Sequence, residues 1–220
     1  MQRTHPRLVA LAILLAALAG FVDALAFSSL GGFFASFMSG NTTRFGVGVG
    51  SGDYAAGLTA LALILSFIAG VIVSTVISRA WPERAQTAIM LVVTLLLALA
   101  AIFAPLAPGA HVLLLLAAAM GVENGLFIRD GEVSIGLTYM TGSLVRLGQR
   151  LAGALMGDRE RWAWLPYLLL WVGFVSGVVM GARCWLTWHW GALWLAAAGA
   201  AGLTGLVAKL TTAPKLRVVH

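Results

Sequence analysis

The apolar chain is interrupted by the polar stretch Ser36-Phe37-Met38-Ser39-Gly40-Asn41-Thr42-Thr43-Arg44-Phe45-Gly46, here called motif one. The pattern returns about a hundred residues later as Thr138-Tyr139-Met140-Thr141-Gly142-Ser143-Leu144-Val145-Arg146-Leu147-Gly148, here called motif two. Upstream of the motifs, Gly20-Phe21-Val22-Asp23-Ala24-Leu25 matches Gly121-Val122-Glu123-Asn124-Gly125-Leu126. Polar, glycine-containing breaks at corresponding positions of two halves are typical of membrane transporters.

The composition indicates a protein whose solvent is lipid. The chain has 220 residues, of which 60% are hydrophobic and only 10% charged, with a mean hydropathy of +0.96. A soluble domain carries about 25% charged residues. The net charge of +6 is spread over short stretches between apolar runs, which argues against a nucleic-acid partner. One cysteine, Cys184, excludes an internal disulfide, and with four scattered histidines it predicts neither a metal site nor a cofactor.

Six stretches approach the roughly 20 apolar residues that a membrane-spanning helix needs. We therefore predict an all-α integral membrane protein with one domain, 1–220, two re-entrant or broken helical motifs, and a short basic cytoplasmic tail at 209–220. The first repeat covers about 8–106 and the second about 110–208. The predicted spans are about 8–28, 54–78, 87–106, 110–128, 163–184 and 189–208, with the motif segments at about 29–50 and 131–155.

The positions of the basic residues predict the topology. If both termini are cytoplasmic and each motif segment enters and leaves on one side, the basic connections around 79–84 and 150–161 lie inside. Only Arg183 then lies outside. Each half has three spans, so the second half is inverted relative to the first, which makes a 3+3 inverted repeat. The two motifs are then expected to approach the midplane from opposite sides of a bacterial inner (plasma) membrane.

The motifs are candidates for a solute-binding site. Glycine permits a sharp turn, and serine, threonine and asparagine favour helix N-termini, where free N–H groups attract anions or polar solutes. Close packing of helices through small residues is the alternative explanation. The predicted lining residues are Ser39, Gly40, Asn41, Thr42, Thr141, Gly142 and Ser143.

Charged residues at membrane depth are the stronger signals, because each costs several kcal/mol unless it is paired or hydrated. Arg44 and Arg146 either bind the solute or pair with Asp23 and Glu123. The two carboxylates either couple transport to protons or act as counter-ions. Asn124 occupies the position in the second half that Asp23 occupies in the first.

At these motifs the chain resembles the YoaK-like membrane proteins, a family with a domain of unknown function (DUF1275). The resemblance rests on both motifs, on Gly20-Phe21-Val22-Asp23-Ala24 and on Gly31-Gly32-Phe33-Phe34-Ala35, and it covers most of the chain. It implies a polytopic protein of the bacterial inner membrane and implies no particular activity.

The sequence thus predicts a secondary transporter or facilitator for a small polar or anionic solute. The alternative is a scaffold or regulatory subunit that transports nothing. An enzyme is not predicted, because His5, His111, His189 and His220 lie near termini or span edges, away from a nucleophile. The lipid bilayer is the expected surrounding. Glycines at helical spacing indicate helix contacts, within the chain or in a homodimer: Gly173, Gly177 and Gly181.

Overall fold

The computed structural model describes residues 6–129, 132–133 and 140–212, and this part of the chain is almost entirely helical, as predicted. A 3₁₀ turn, Asn124–Phe127, extends the fifth α-helix, and another, His189–Ala192, joins the last two. The two-residue strands β1 (Ile128–Arg129) and β2 (Glu132–Val133) pair antiparallel. The α-helices are α1 (Pro6–Ser29), α2 (Met38–Ser51), α3 (Tyr54–Ala80), α4 (Ala85–Phe103), α5 (Ala110–Glu123), α6 (Met140–Leu155), α7 (Leu165–Trp188) and α8 (Leu193–Thr212).

Four stretches of the described residues are long and apolar enough to cross a membrane: Leu8–Ser29, Tyr54–Ala80, Ala85–Phe103 and Leu165–Thr211. The fourth has 47 residues and contains both α7 and α8, since the backbone turns at His189, whose φ is 47°. A continuous helix of that length would measure about 70 Å, more than twice the hydrocarbon thickness. The stretch Ala110–Leu126 is apolar but shorter.

Apolar residues cover the outward faces of the long helices. On α3 the exposed side chains include Leu58, Leu65, Ile72 and Val76, which lie on one face because their spacing follows the helical period. In contrast, α1 is enclosed by protein: its Leu15 is fully buried. An apolar outer surface around an apolar interior is suited to lipid rather than water.

The helices α1 and α7 form a close pair through glycines. Methyl groups on Gly173, Gly177 and Gly181 would overlap atoms of Ile13, Ala17 and Phe21, respectively. Residue numbers rise together along the two helices, so the pair is parallel. The three glycines predicted to mediate helix contact therefore do so, and their partner is α1 of the same chain.

The helices α3 and α5 form a second parallel pair of the same kind. A methyl group on Gly121 would overlap the carbonyl of Phe67, and one on Gly70 would overlap the carbonyl of Ala118. Further along, Gly125 lies against the side chain of Ser74. Small residues thus bring the backbones of these helices into direct contact.

The remaining helices attach to these pairs. The short helix α2 packs on α3, and α6 packs on α7. The helices α4 and α8 pack on each other, and the hydroxyls of Thr94 and Thr204 are 3.0 Å apart between them. The α3–α4 connection lies beside the end of α5, since Gln86 Nε2 is 3.5 Å from the Leu126 carbonyl oxygen.

Candidate functional site

The loop of residues 30–37, between α1 and α2, folds back against α1. It turns at Gly31 and Gly32, whose φ values of 68° and 89° are ones that side-chain-bearing residues rarely adopt. Gly32 N–H donates to the Phe27 carbonyl at 2.9 Å. The loop therefore reverses direction immediately after the helix ends.

The end of the loop is held by the carboxylate of Asp23. One oxygen, Oδ1, accepts bonds from the backbone N–H groups of Ala35 at 2.8 Å and Ser36 at 2.7 Å, and Oδ2 accepts from Ser36 Oγ at 2.6 Å. Asp23 precedes the end of α1 by six residues, so the loop has returned by about 9 Å along that helix. These donors come directly before α2, where a negative charge is also favoured by the helix dipole.

Asn41 closes the other side of the loop. Its Oδ1 accepts from Phe34 N–H at 3.1 Å, and its Nδ2 donates to the Phe34 carbonyl at 2.7 Å. The ring of Phe34 contacts Phe27 and Phe37, with centroids 5.3 and 5.2 Å apart. The Phe37 ring covers Gly40, which leaves no room there for a side chain. Asn41 is fully buried, so its amide replaces the backbone partners that the loop lacks.

Arg44 also holds the loop. Its Nη1 donates to the Gly32 carbonyl at 2.7 Å, and its guanidinium carbon lies 4.3 Å from the centroid of the Phe33 ring. Both contacts are with the loop rather than with a carboxylate. Arg44 and Asp23, which were predicted as possible partners, are therefore not paired with each other; each bonds a different part of the same loop.

The other predicted residues of motif one are more open. Ser39 and Thr42 are exposed on α2, and the Thr42 hydroxyl donates to the Met38 carbonyl at 2.8 Å. Their exposed positions can face either lipid or a wet cavity.

Motif two begins its helix at Met140, the position that corresponds to Met38 at the start of α2. Ser143 is buried, as is the corresponding Asn41, whereas Thr141 and Arg146 are exposed and Gly142 is half-buried. Thr138 and Tyr139 lie outside the described residues. The helices of the two motifs pack on different partners, α2 on α3 and α6 on α7.

Glu123, near the end of α5, is the most unusual polar residue of the described structure. It is fully buried, and within that part of the chain neither carboxylate oxygen has a hydrogen-bond partner. It lies close enough to Asp23 for their charges to repel. The neighbouring Asn124 is better satisfied, since its Nδ2 donates to the Met120 carbonyl at 2.8 Å. The two carboxylates lie on helices that contact each other, Asp23 on α1 and Glu123 on α5.

A cavity of about 310 Å³ lies elsewhere, at the connection between α6 and α7. It is lined by Arg150, Asp158, Arg159, Glu160 and Ala163, none of which was predicted to bind solute.

Sequence reasoning missed Ser36 as the partner of Asp23, although Ser36 stands at the head of motif one. It also missed a second pair of matching segments, Phe67-Ile68-Ala69-Gly70 and Phe174-Val175-Ser176-Gly177. The glycine three residues after phenylalanine in both segments was the available signal, and Gly70 and Gly177 leave no room for a methyl group against the neighbouring helix.

Known proteins with similar sequences support the conclusion that this is a membrane protein. The chain is 37% identical over 178 residues to the UPF0700 transmembrane protein RA0705 of Rhizobium meliloti (strain 1021), covering 79% of this chain and 74% of that protein. It is 26% identical over 155 residues to the UPF0700 transmembrane protein YoaK of Bacillus subtilis (strain 168), covering 67% and 69%, respectively.

No solved structure matches the chain significantly. The family model described as "Protein of unknown function (DUF1275)" matches residues 11–206. With apolar helices and transmembrane relatives, the protein is a membrane protein. The chain belongs to the DUF1275 family.

Proposed function

We propose that the protein is a secondary transporter or facilitator for a small polar solute in the bacterial inner membrane. The observation that carries the proposal is the loop of residues 30–37, which returns to the level of Asp23 within the helical bundle. Non-helical backbone at membrane depth is tolerated where protein buries it or where it lines a wet cavity. Transporters use such broken segments to bind solutes.

The charges narrow the class of solute. Asp23 and Glu123 are buried, whereas Arg44 contacts Gly32 and Phe33 and Arg146 is exposed. Two carboxylates repel an anion, attract a cation and exert no charge–charge repulsion on a neutral solute. Within the polar or anionic class that the sequence predicts, a neutral or cationic polar solute therefore fits better.

The helix contacts support an internal repeat as the framework of transport. Gly20 meets the carbonyl of Phe174, and the corresponding Gly121 meets the carbonyl of the corresponding Phe67. Each close pair therefore combines one helix from each half, α1 with α7 and α3 with α5. Two equivalent units of this kind, with α8 packed on α1 and α4 packed on α5, could rock against each other around a site between them.

The proposed topology has six spans with both termini in the cytoplasm. In this topology α1 and α7 both run outward and α3 and α5 both run inward, which agrees with the two parallel pairs. The loop of residues 30–37 is then a re-entrant loop that opens outside, and α6 with its part of motif two faces inside.

Side-specific labelling of single cysteines tests the topology. In a Cys184→Ser background we expect Val47→Cys, on the exposed part of α2, to react with a membrane-impermeant thiol reagent from outside. Gln149→Cys, at the corresponding exposed position of α6, is expected to react only from inside. Labelling of both from one side would refute the inverted repeat.

Solvent access tests the site. Ser39→Cys and Thr141→Cys are expected to react with a small impermeant thiol reagent, because each side chain is exposed and the proposal makes that surface wet. Leu65→Cys, on the apolar outer face of α3, is the control that should stay unreactive. In proteoliposomes, swelling in polyols or ammonium salts should exceed that of empty vesicles.

A scaffold or regulatory subunit is the second candidate, and the interior of motif one favours it. Asp23 makes three hydrogen bonds and Asn41 bonds both backbone groups of Phe34, so this interior is packed and satisfied. Under this alternative Ser39→Cys and Thr141→Cys would be as unreactive as Leu65→Cys, and the vesicles would not swell.

A further inference from the structure

The two buried carboxylates have opposite surroundings. Asp23 accepts three hydrogen bonds from Ala35 and Ser36, whereas the oxygens of Glu123 accept none within the described residues. An ionised carboxylate without hydrogen bonds or a counter-charge is not maintained in an apolar interior. Glu123 therefore requires a cation, whereas Asp23 already has its partners.

The repeat indicates that Glu123 is not needed for folding. The corresponding position in the first half is Val22, which is also fully buried. An apolar side chain thus fits the equivalent environment, while a carboxyl group there costs several kcal/mol. Because the carboxyl group of Glu123 is costly to bury and the corresponding Val22 is apolar, we infer that Glu123 has a role in activity.

A proton fits this place better than a metal ion. A metal ion needs several oxygen, nitrogen or sulfur ligands, and the described residues contain no group of three or more His, Cys, Asp or Glu that could hold one. A proton needs only the carboxylate itself.

The other charged groups near the ends of the helices around α5 are exposed: Arg79, Glu83 and Arg84 lie at the α3–α4 connection. Asp23 is the charged group that acts on Glu123 from α1. Release of the proton would place two negative charges close together. A cationic solute or a hydrated opening of the bundle could compensate for that repulsion.

We propose that Glu123 is an exchangeable proton-binding site and that Asp23 is a fixed structural carboxylate. This assignment rests on the proposed transport function for its purpose, as the group that couples solute to proton movement. Proton binding itself can be measured without a known solute. In this step the carboxylate takes up one proton, and no other bond changes.

The test is infrared difference spectroscopy of the full chain in lipid nanodiscs during a pH change. We expect a carbonyl-stretch band of a protonated carboxylic acid that changes with pH. The band should be lost in Glu123→Gln and retained in Asp23→Asn. Should Glu123→Gln fail to fold, Glu123→Val copies the residue of the first half and serves instead.

Three results overturn the assignment: a band that survives Glu123→Gln, a band that disappears in Asp23→Asn, or no pH-dependent carboxyl band in the native chain. Failure of the transport proposal is distinct from these. If the band behaves as expected but Ser39→Cys and Thr141→Cys stay unreactive, the proton site stands and transport is refuted.

Discussion

Removing the carboxylate of Asp23 is expected to release the loop of residues 30–37. In Asp23→Ala the N–H groups of Ala35 and Ser36 lose their acceptor, and the Ser36 hydroxyl loses the oxygen at 2.6 Å. Asp23 and Ser36 are only 4% and 5% exposed, so water does not replace the lost bonds without opening the structure.

The cost follows from the number of unpaired groups. Each buried donor left unsatisfied costs about 1–3 kcal/mol, so the two backbone groups contribute about 2–6 kcal/mol. Because the variant no longer buries the charge of the Asp23 carboxylate, part of this cost is offset. We expect a net loss of about 2–4 kcal/mol for Asp23→Ala. Asp23→Asn keeps an oxygen for the two N–H groups and should cost about half as much or less.

The single cysteine offers an assay. Cys184 is partly buried on α7, so a thiol-reactive fluorescent dye reports its exposure as the detergent-solubilised protein unfolds on heating. For domains of 150–250 residues, 1 kcal/mol corresponds to about 2–4 °C in the melting temperature. We expect Asp23→Ala to melt about 4–16 °C below the native chain.

Two controls isolate the hydrogen bonds. Ser36→Ala removes only the hydroxyl bond to the carboxylate and should cost about 1.5–3 kcal/mol, whereas Ser28→Ala, on an exposed part of α1, should cost little. A melting temperature of Asp23→Ala within 2 °C of the native chain, or an Asp23→Asn as damaging as Asp23→Ala, would show that these hydrogen bonds do not hold the loop.

Three further changes test the packing and the loop by the same melting assay. Gly20→Ala forces a methyl group against a carbonyl of α7 and should cost about 1–3 kcal/mol, whereas Gly202→Ala, with open space around it on α8, should be neutral or stabilising. Equal effects would contradict the close helix pair. Asn41→Ala leaves the Phe34 N–H and C=O unpaired and should cost about 2–4 kcal/mol; an unchanged melting temperature would argue against the amide contact. Arg44→Gln loses a charge-assisted bond and a cation–π contact and should cost about 1–3 kcal/mol, and a variant as stable as the native chain would leave the arginine free for solute.

Local sequence was sufficient to locate the apolar helices. The six apolar stretches coincide with α1, α3, α4, α5, α7 and α8, because a long apolar run in lipid satisfies its backbone groups only as a helix. Asp53 directly precedes an apolar run, a position at which aspartate favours a helix N-cap, and its carboxylate accepts from Ala56 N–H at 3.1 Å at the start of α3. Both are short-range effects.

The partners of the polar residues could not be predicted in this way. Arg44 was expected to bind solute or pair with an acidic residue, but it bonds the Gly32 carbonyl because the loop turns back beneath it. Motif spacing gives no information on the path of a loop. The predicted meeting of the two motifs stays a prediction, and their helices attach to different partners, α3 and α7.

The helical character of the chain, its lipid surroundings and the concentration of polar groups in two related motifs can be read from composition and periodicity, because these are local properties. Which helices pair and which carboxylate is satisfied depends on the three-dimensional packing. Gly20 and Gly121 let helices of different halves touch, and the returning loop supplies donors to Asp23 but none to Glu123. That difference depends on the path of the backbone through space.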